Sequence, residues 1–400
     1  MKKTLLICGR YPLPENHGSP MRTMNFVRFF QRYGTLDIAY SRVSRARTEH
    51  STFSNEYVLK VEDIPKGFMK RGVRFVKGIP VPVYEFTKDT KQLLLSGIES
   101  NNYDYILVRY IHNTSILLDL PSKYKLRTIV DFDDIMSHSL YESMFGSING
   151  IYKKIIVDLN KKLLVNYEKK CLAFGASLFC SERDRARLIA NPQESNAFVI
   201  PNIYESKSFD GYDFEDGFKN ENILLFVGTL GYGPNSVGLK WFIESVFPDF
   251  KKRYSDARLL VVGRSPNSEI KRICESRDGI ELHADVPDIK EYYKKCKAAI
   301  VPLLAGGGTR IKILEAASAD RPVLSTPAGA EGLDLADDTD LLLFKTAREF
   351  SFKYSTLLNR EKYNSLIYNA KNLVLDKYSL QRFNEAMKEV LHALELRNAA

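Results

Sequence analysis

The chain has 400 residues, 44 % of them apolar and 27 % charged. That is enough for about two to three globular domains with full cores, and it excludes disordered, collagen-like and coiled-coil architectures. The net charge of +9 is uneven, since residues 1–200 carry 30 basic and 20 acidic side chains while residues 201–400 carry 28 and 29; the first half therefore expects an anionic partner such as membrane headgroups, a phosphorylated substrate or nucleic acid.

Short aliphatic or β-branched runs alternate with longer amphipathic ones along the whole chain, the pattern of α/β units with parallel sheets. In the first half, strands are predicted at Thr4–Cys8, Leu36–Tyr40, Tyr57–Val61, Tyr105–Arg109, Arg127–Phe132, Ser177–Cys180 and Ala197–Ile200. Helices are predicted at Met21–Tyr33, Tyr84–Ser100, Asn113–Leu120, Ile151–Phe174 and Glu182–Ala190. Residues 204–221 show no periodicity and read as a linker after a first domain of residues 1–203. Strands resume at Ile223–Val227, Ala257–Val262, Ile280–His283, Ala298–Pro302, Pro322–Ser325 and Leu341–Phe344, giving a second domain of residues 222–378. Helices then run to the end, residues 379–400 forming the last.

Met1-Lys2-Lys3 before Thr4–Cys8 resembles a signal peptide only briefly, because Gly9-Arg10 ends the apolar run too early for an h-region of about 7–15 residues. No stretch reaches the ~18 apolar residues of a membrane span, so membrane contact is expected to be peripheral. The five cysteines, Cys8, Cys171, Cys180, Cys274 and Cys296, form no C-x-x-C pair and suit buried thiols in a reducing cytoplasm.

Open parallel sheets bind ligands beyond the carboxyl ends of their strands. The strand ending at Pro302 runs into Gly306-Gly307-Gly308-Thr309-Arg310 and then a helix. Glycines there let backbone amides approach an anion such as a diphosphate, and the positive end of the helix adds attraction. Arg310 and Lys312 supply cations, and Glu315, about two turns in, can accept hydrogen bonds from two hydroxyls of a ribose.

The run G-G-G-T-R-I-K-I-L-E-A-A-S-A-D-R-P-V-L-S-T from Gly306 to Thr326, with Gly329-Ala330-Glu331-Gly332, resembles the nucleotide-sugar signature of glycosyltransferase family four (group 1 glycosyl transferases). The resemblance extends through Phe226-Val-Gly228-Thr, Pro234-Asn235, Leu260-Val-Val-Gly263, Val286-Pro-Asp288 and Tyr378-Ser379. It is thinner in the first half, at Pro12–Ser19, Asp131-Phe-Asp-Asp134, Cys180-Ser-Glu182 and Ile200-Pro-Asn202. It implies the GT-B fold, in which two Rossmann-like, doubly wound domains face each other across a cleft, the first for acceptor and the second for donor, with C-terminal helices.

It further implies a retaining, metal-independent transfer from a nucleotide-sugar to a saccharide or polyprenyl-linked glycan acceptor in bacterial polysaccharide or glycolipid biosynthesis. By the resemblance Glu315 matches the second Glu of the family's E-x7-E motif; the first falls on Gly307, which removes a carboxylate that elsewhere touches the donor sugar. The family's Arg/Lys pair after the first C-domain strand is also absent, since Gly228 to Asn235 contains no cation. The expected donor-binding set is therefore Gly18, Ser19, Gly228, Asn235, Gly307, Gly308, Thr309, Arg310, Lys312, Glu315 and Glu331. Arg310, Lys312, His112 and Asp134 are the expected catalytic group, with no metal or other cofactor. Asp131, Asp133 and Asp134 mimic a metal motif of another glycosyltransferase fold, but a capping turn or a sugar contact is expected of them.

Residues 66–77 interleave cations with apolar side chains, and 151–174 repeats Lys-Lys pairs on an amphipathic helix. Both suit an anionic membrane surface and a cytoplasmic location at the inner face of the plasma membrane. No nucleic-acid-binding motif accompanies the charge. A catalytically inactive scaffold is the alternative function, and a nicotinamide dehydrogenase is disfavoured because Cys8-Gly-Arg-Tyr-Pro lacks G-x-G-x-x-G.

Overall fold

The computed structural model describes residues 1–13, 18–41, 53–62, 74, 78–118, 120–138, 151–191, 196–204, 209, 211–305 and 310–399. The chain divides into two compact units, Met1–Asn202 with Phe383–Ala400, and Ile203–Arg382.

The first unit holds a seven-stranded sheet of β1 (Lys2–Cys8), β2 (Gly34–Tyr40), β3 (Glu56–Val58), β4 (Tyr105–Arg109), β5 (Thr128–Asp131), β6 (Ala176–Phe179) and β7 (Ala197–Val199) in the order β3-β2-β1-β4-β5-β6-β7. Every ladder is parallel, with Thr4 opposite Tyr105 between β1 and β4. Such strands are covered on both faces, which is why Leu5, Leu6, Ile7 and Ile106, Leu107, Val108 are consecutive and buried instead of alternating with polar residues. The final helix, Leu380–Ala399, closes this unit: Phe383 meets Phe26 at 5.2 Å between ring centroids.

The second unit has six parallel strands, β8 (Ile223–Thr229), β9 (Arg258–Arg264), β10 (Ile280–Ala284), β11 (Ala298–Val301), β12 (Val323–Ser325) and β13 (Leu342–Leu343), in the order β10-β9-β8-β11-β12-β13. One side of its core is aromatic: Phe250 lies edge-on to Tyr354 at 4.6 Å, and Phe242 to Phe350 at 5.1 Å. Both units are Rossmann-like, as the reading of two doubly wound domains from the sequence expects.

Several boundaries differ from expectation. The segment predicted as helix from Tyr84 begins only at Lys88, because the Thr87 hydroxyl accepts from the Thr90 amide at 3.3 Å and caps the helix Lys88–Asn101 there. The predicted helix Asn113–Leu120 is instead a 3₁₀ segment, Ile111–Leu117. Residues 204–221, expected as a linker, cluster with the second unit. Phe209 and Phe214 are buried against each other at 4.9 Å, Phe209 lies 5.8 Å from Tyr293, and Arg321 Nη2 donates to the Phe214 carbonyl at 2.5 Å. Aromatic burial without periodicity hid that attachment.

Each sheet reverses its winding order once, between β1 and β4 in the first unit and between β8 and β11 in the second. Strand carboxyl ends at such a reversal leave a crevice for ligands.

Candidate donor and sugar sites

In the second unit, the helix Ile311–Ser318 buries Ile313, Leu314, Ala316 and Ala317 and leaves Lys312 and Glu315 on its partly open face. Arg310 occupies its N-cap position and contributes no capping hydrogen bond. In contrast, Ser181 and Asn267 cap their helices by accepting from the Asp184 and Ile270 amides. The Ile313 amide turns back to the Arg310 carbonyl at 2.8 Å, and the positive dipole end of the helix favours an anion. Arg310 itself is buried, its Nη2 donating to the Ala328 carbonyl at 3.2 Å.

Lys312 Nζ donates to Asn235 Oδ1 at 2.8 Å and lies 4.9 Å from the centroid of the Phe226 ring. Asn235, in the first turn of the helix Gly233–Trp241, is buried and donates through Nδ2 to the Thr229 carbonyl at 2.9 Å. Gly228, at the end of β8, makes room: a Cβ there would stand 3.0 Å from Asn235 Nδ2 and 3.2 Å from Lys312 Nζ. Desolvation by the surrounding protein, reinforced by the Arg310 charge and opposed by Glu315, pulls Lys312 down to about 7.

Glu315 accepts from Tyr293 at 3.1 Å and from Tyr204 at 3.4 Å, one phenol on each carboxylate oxygen. Burial pushes Glu315 up to about 7, although both tyrosines and Lys312 favour its charged form. A carboxylate has about four acceptor positions, so two hydroxyls of a ligand can still be taken after the tyrosines bind. Glu331 is half-buried in the turn that follows Gly329. Gly307, Gly308 and Thr309 lie outside the described residues.

In the first unit, a pocket of about 200 Å³ opens past the carboxyl ends of β1 and β4, with Cys8, Gly9, Tyr84, Tyr110 and His112 in its wall. His112 stacks on Tyr110, centroids 5.1 Å apart and planes at 13°, and meets Tyr84 edge-on at 4.7 Å. Tyr110 has φ +66, a conformation that costs a non-glycine residue about 1–3 kcal/mol and survives only where its surroundings enforce it. Here its amide donates to the Asp131 carbonyl at 2.8 Å, while Asn113 Nδ2 donates to the adjoining Arg109 carbonyl at 2.7 Å. Gly18 and Ser19 begin the helix Gly18–Gln31, of which Pro20 and Thr23 reach the same pocket.

Behind the pocket stands an ion-pair network that the sequence did not disclose. Arg22 grips Asp131 with two hydrogen bonds, at 2.7 and 3.1 Å, and donates to Ile200 O at 2.8 Å and Asn202 Oδ1 at 3.1 Å. Arg109 donates to the same carboxylate and to Thr23 Oγ1 at 3.2 Å, and its guanidinium covers the Tyr110 ring at 4.5 Å. Arg22, Arg109 and Asp131 are all buried. Burial by itself would raise Asp133, but Arg109 and Arg22 outweigh it and hold that carboxyl at about 2. Asp131 is thus committed to two arginines. Asp134 occupies the same turn, its amide donating to Phe132 O at 2.6 Å. Among the described residues, no three His, Cys, Asp or Glu side chains are grouped so as to hold a metal ion.

The arginines, Tyr84, Tyr204 and Tyr293 were absent from the sequence-based site. Arg109 follows the apolar run Tyr105–Val108, a sign of paired burial; Arg22 and the tyrosines carried no signal.

Residues 221–360 match the family described as "Glycosyl transferases group 1". An "Uncharacterized 44.6 kDa protein in cps region" of Klebsiella pneumoniae is 25 % identical over 97 % of this chain and 100 % of its own. Among solved structures, sucrose-phosphate synthase from Thermosynechococcus elongatus is similar over 100 % of both chains, with TM-score 0.68 and 14 % identity. Anabaena Alr3699/HepE in complex with UDP and glucose is similar over 97 % of this chain and 99 % of its own, with TM-score 0.65 and 12 % identity. Residues 221–360 are thus related to the group 1 glycosyl transferases, and the chain shares the GT-B fold of its solved neighbours.

Proposed function

We propose that the protein is a retaining glycosyltransferase that moves a sugar from a nucleotide-sugar donor to a saccharide or lipid-linked acceptor in the synthesis of a bacterial surface glycan, with no metal requirement. The observation that carries this reading is the group formed by Arg310, Lys312 and Glu315 at one helix start beside the winding reversal of the second unit. The similar protein of a "cps region" and the solved neighbour holding UDP and glucose support the glycan and nucleotide parts.

Breaking a glycosyl phosphate bond leaves negative charge on a nucleoside diphosphate and positive charge on the sugar. Stabilising the departing charge is the main demand, and fixed cations and amides in a desolvated site meet it without reorganisation. Lys312, held by Asn235, and the buried Arg310 serve that purpose, together with the amides at the helix start. Glu315 takes the ribose hydroxyls. Gly18, Ser19, Gly228 and Glu331 border the donor, while His112 and Asp134 act near the sugar. In a retaining course, the departing phosphate accepts the acceptor's proton on the face from which the acceptor attacks.

The basic half supports contact with an anionic membrane, and with it a place at the cytoplasmic face. On the helix Ile151–Cys171, Ile155, Ile156 and Leu159 are exposed beside the exposed Lys154 and Lys162. Of residues 66–77 only Arg74 is described, and it is buried and paired with Glu85 at 2.8 Å, so that cation is structural. No helix among the described residues is long and apolar enough to cross a membrane.

The test is to incubate the full chain with a panel of nucleotide sugars and a glycan acceptor in EDTA, following product by NMR. Transfer with the donor's anomeric configuration preserved supports the reading; transfer with inversion, or strict dependence on Mg²⁺ or Mn²⁺, overturns it.

A further inference from the structure

Resting on the glycosyltransferase reading, we propose that the first-unit pocket is a recognition site for a single anionic pyranose ring, such as a uronic acid residue. At about 200 Å³ the pocket is smaller than the ~300–1,000 Å³ typical of drug-sized ligands, which suits one sugar ring and not a nucleotide. Its wall is aromatic. His112 stacks on Tyr110 at 5.1 Å and meets Tyr84 edge-on at 4.7 Å; with Tyr110 covered by His112 and Arg109, the rings of His112 and Tyr84 are the ones to receive the C–H surface of a pyranose. The stack is rigid, because Tyr110 is held at a left-handed φ and backed by Arg109.

The charge of the wall sets the class of sugar. Arg10 lines the pocket alongside His112, and no Asp or Glu is among its described lining residues. The nearby helix Gly18–Gln31 carries no acid in its first turn. Behind the wall Arg22 and Arg109 are paired with Asp131 and Asp133, whereas Arg10 is the cation among the pocket's described lining residues. A guanidinium recognises a carboxylate through paired hydrogen bonds that a neutral hydroxymethyl group cannot return.

The experiment uses the full chain and saturation-transfer NMR with methyl β-D-glucuronide and methyl β-D-glucoside, alongside calorimetry with UDP, GDP and ADP to monitor the second unit. Glucuronide is expected to bind at least fivefold more tightly than glucoside. Arg10→Gln should abolish that preference, and Tyr84→Leu should weaken both glycosides at least fivefold, with a native circular dichroism spectrum and unfolding transition in each variant as proof that the first unit is folded, and nucleoside diphosphate binding intact. If a nucleotide sugar displaces the glucuronide while the free diphosphates do not, the ring is the donor's; if neither does, it is the acceptor's, and both outcomes support the site. Displacement by a free diphosphate, a preference that survives Arg10→Gln, or no glycoside binding by a chain that binds diphosphate would overturn it. Loss of diphosphate binding in the unmodified chain would instead count against the donor site in the second unit.

Discussion

The Lys312 ammonium donates to Asn235 Oδ1 at 2.8 Å, tying the first turn of one helix to the first turn of another beside the end of β8. The bond orients a partly desolvated cation at the start of the helix proposed to hold the diphosphate. Lys312→Met should weaken nucleoside diphosphate binding about 10- to 100-fold, the value of a charge-assisted hydrogen bond of about 1.5–3 kcal/mol. Lys312→Arg should not restore it, because Gly228, Phe226 and Asn235 leave room for an ammonium and not for a planar fork. Titration calorimetry reads both.

The acidity of the site makes donor binding depend on pH in both directions. Lys312 at about 7 loses its proton as pH rises, whereas a diphosphate binds its ammonium form, so binding takes up a proton and affinity falls above pH 7. Glu315 at about 7 gains a proton as pH falls, losing acceptor capacity for the ribose, so affinity also falls below pH 7. A nucleotide sugar, whose diphosphate has no group titrating near neutrality, should bind best near pH 7. Lys312→Met should remove the alkaline fall and Glu315→Gln the acid one.

Tyr293 and Tyr204 act through Glu315. Their phenols stabilise its carboxylate, so Tyr293→Phe should raise the pH at which the acid fall occurs, and the double variant with Tyr204→Phe should raise it further. Binding of inorganic pyrophosphate, which has no ribose, should be unaffected by either substitution. A purely structural role for the tyrosines would weaken both ligands alike.

Asp131→Asn should destabilise the first unit by about 3–5 kcal/mol, because it leaves two buried arginines facing a neutral amide. Chemical denaturation measures the loss. The Asp131→Asn protein should show no change in metal response, since in the native chain that carboxylate serves Arg22 and Arg109.

Much of this molecule was legible in its sequence because parallel strands buried on both faces appear as unbroken aliphatic runs, such as Leu5 to Ile7 and Leu259 to Val262. The grouping of the residues proposed to bind the donor was legible for a similar local reason. Arg310, Lys312 and Glu315 lie within two turns of one helix, so their spacing already places them together. What escaped was non-local. Arg22 meets Asp131 across 109 residues, and Tyr204 meets Glu315 across 111. The Tyr110 backbone was equally hidden, since its left-handed φ is imposed by neighbours contributed from β5 and the 3₁₀ segment. Phe209 and Phe214 were read as part of a linker because their burial follows no helical or strand period.

The most direct measurement is steady-state transfer by Arg310→Ala and Glu315→Ala chains, on whichever nucleotide sugar the native protein uses. Arg310→Ala should lower kcat by about 10²- to 10³-fold, the usual cost of removing one donor to a developing negative charge, with a smaller change in KM. Glu315→Ala should chiefly raise KM for the donor. Native kinetics in both variants would contradict the assignment of donor binding and leaving-group stabilisation to this helix start.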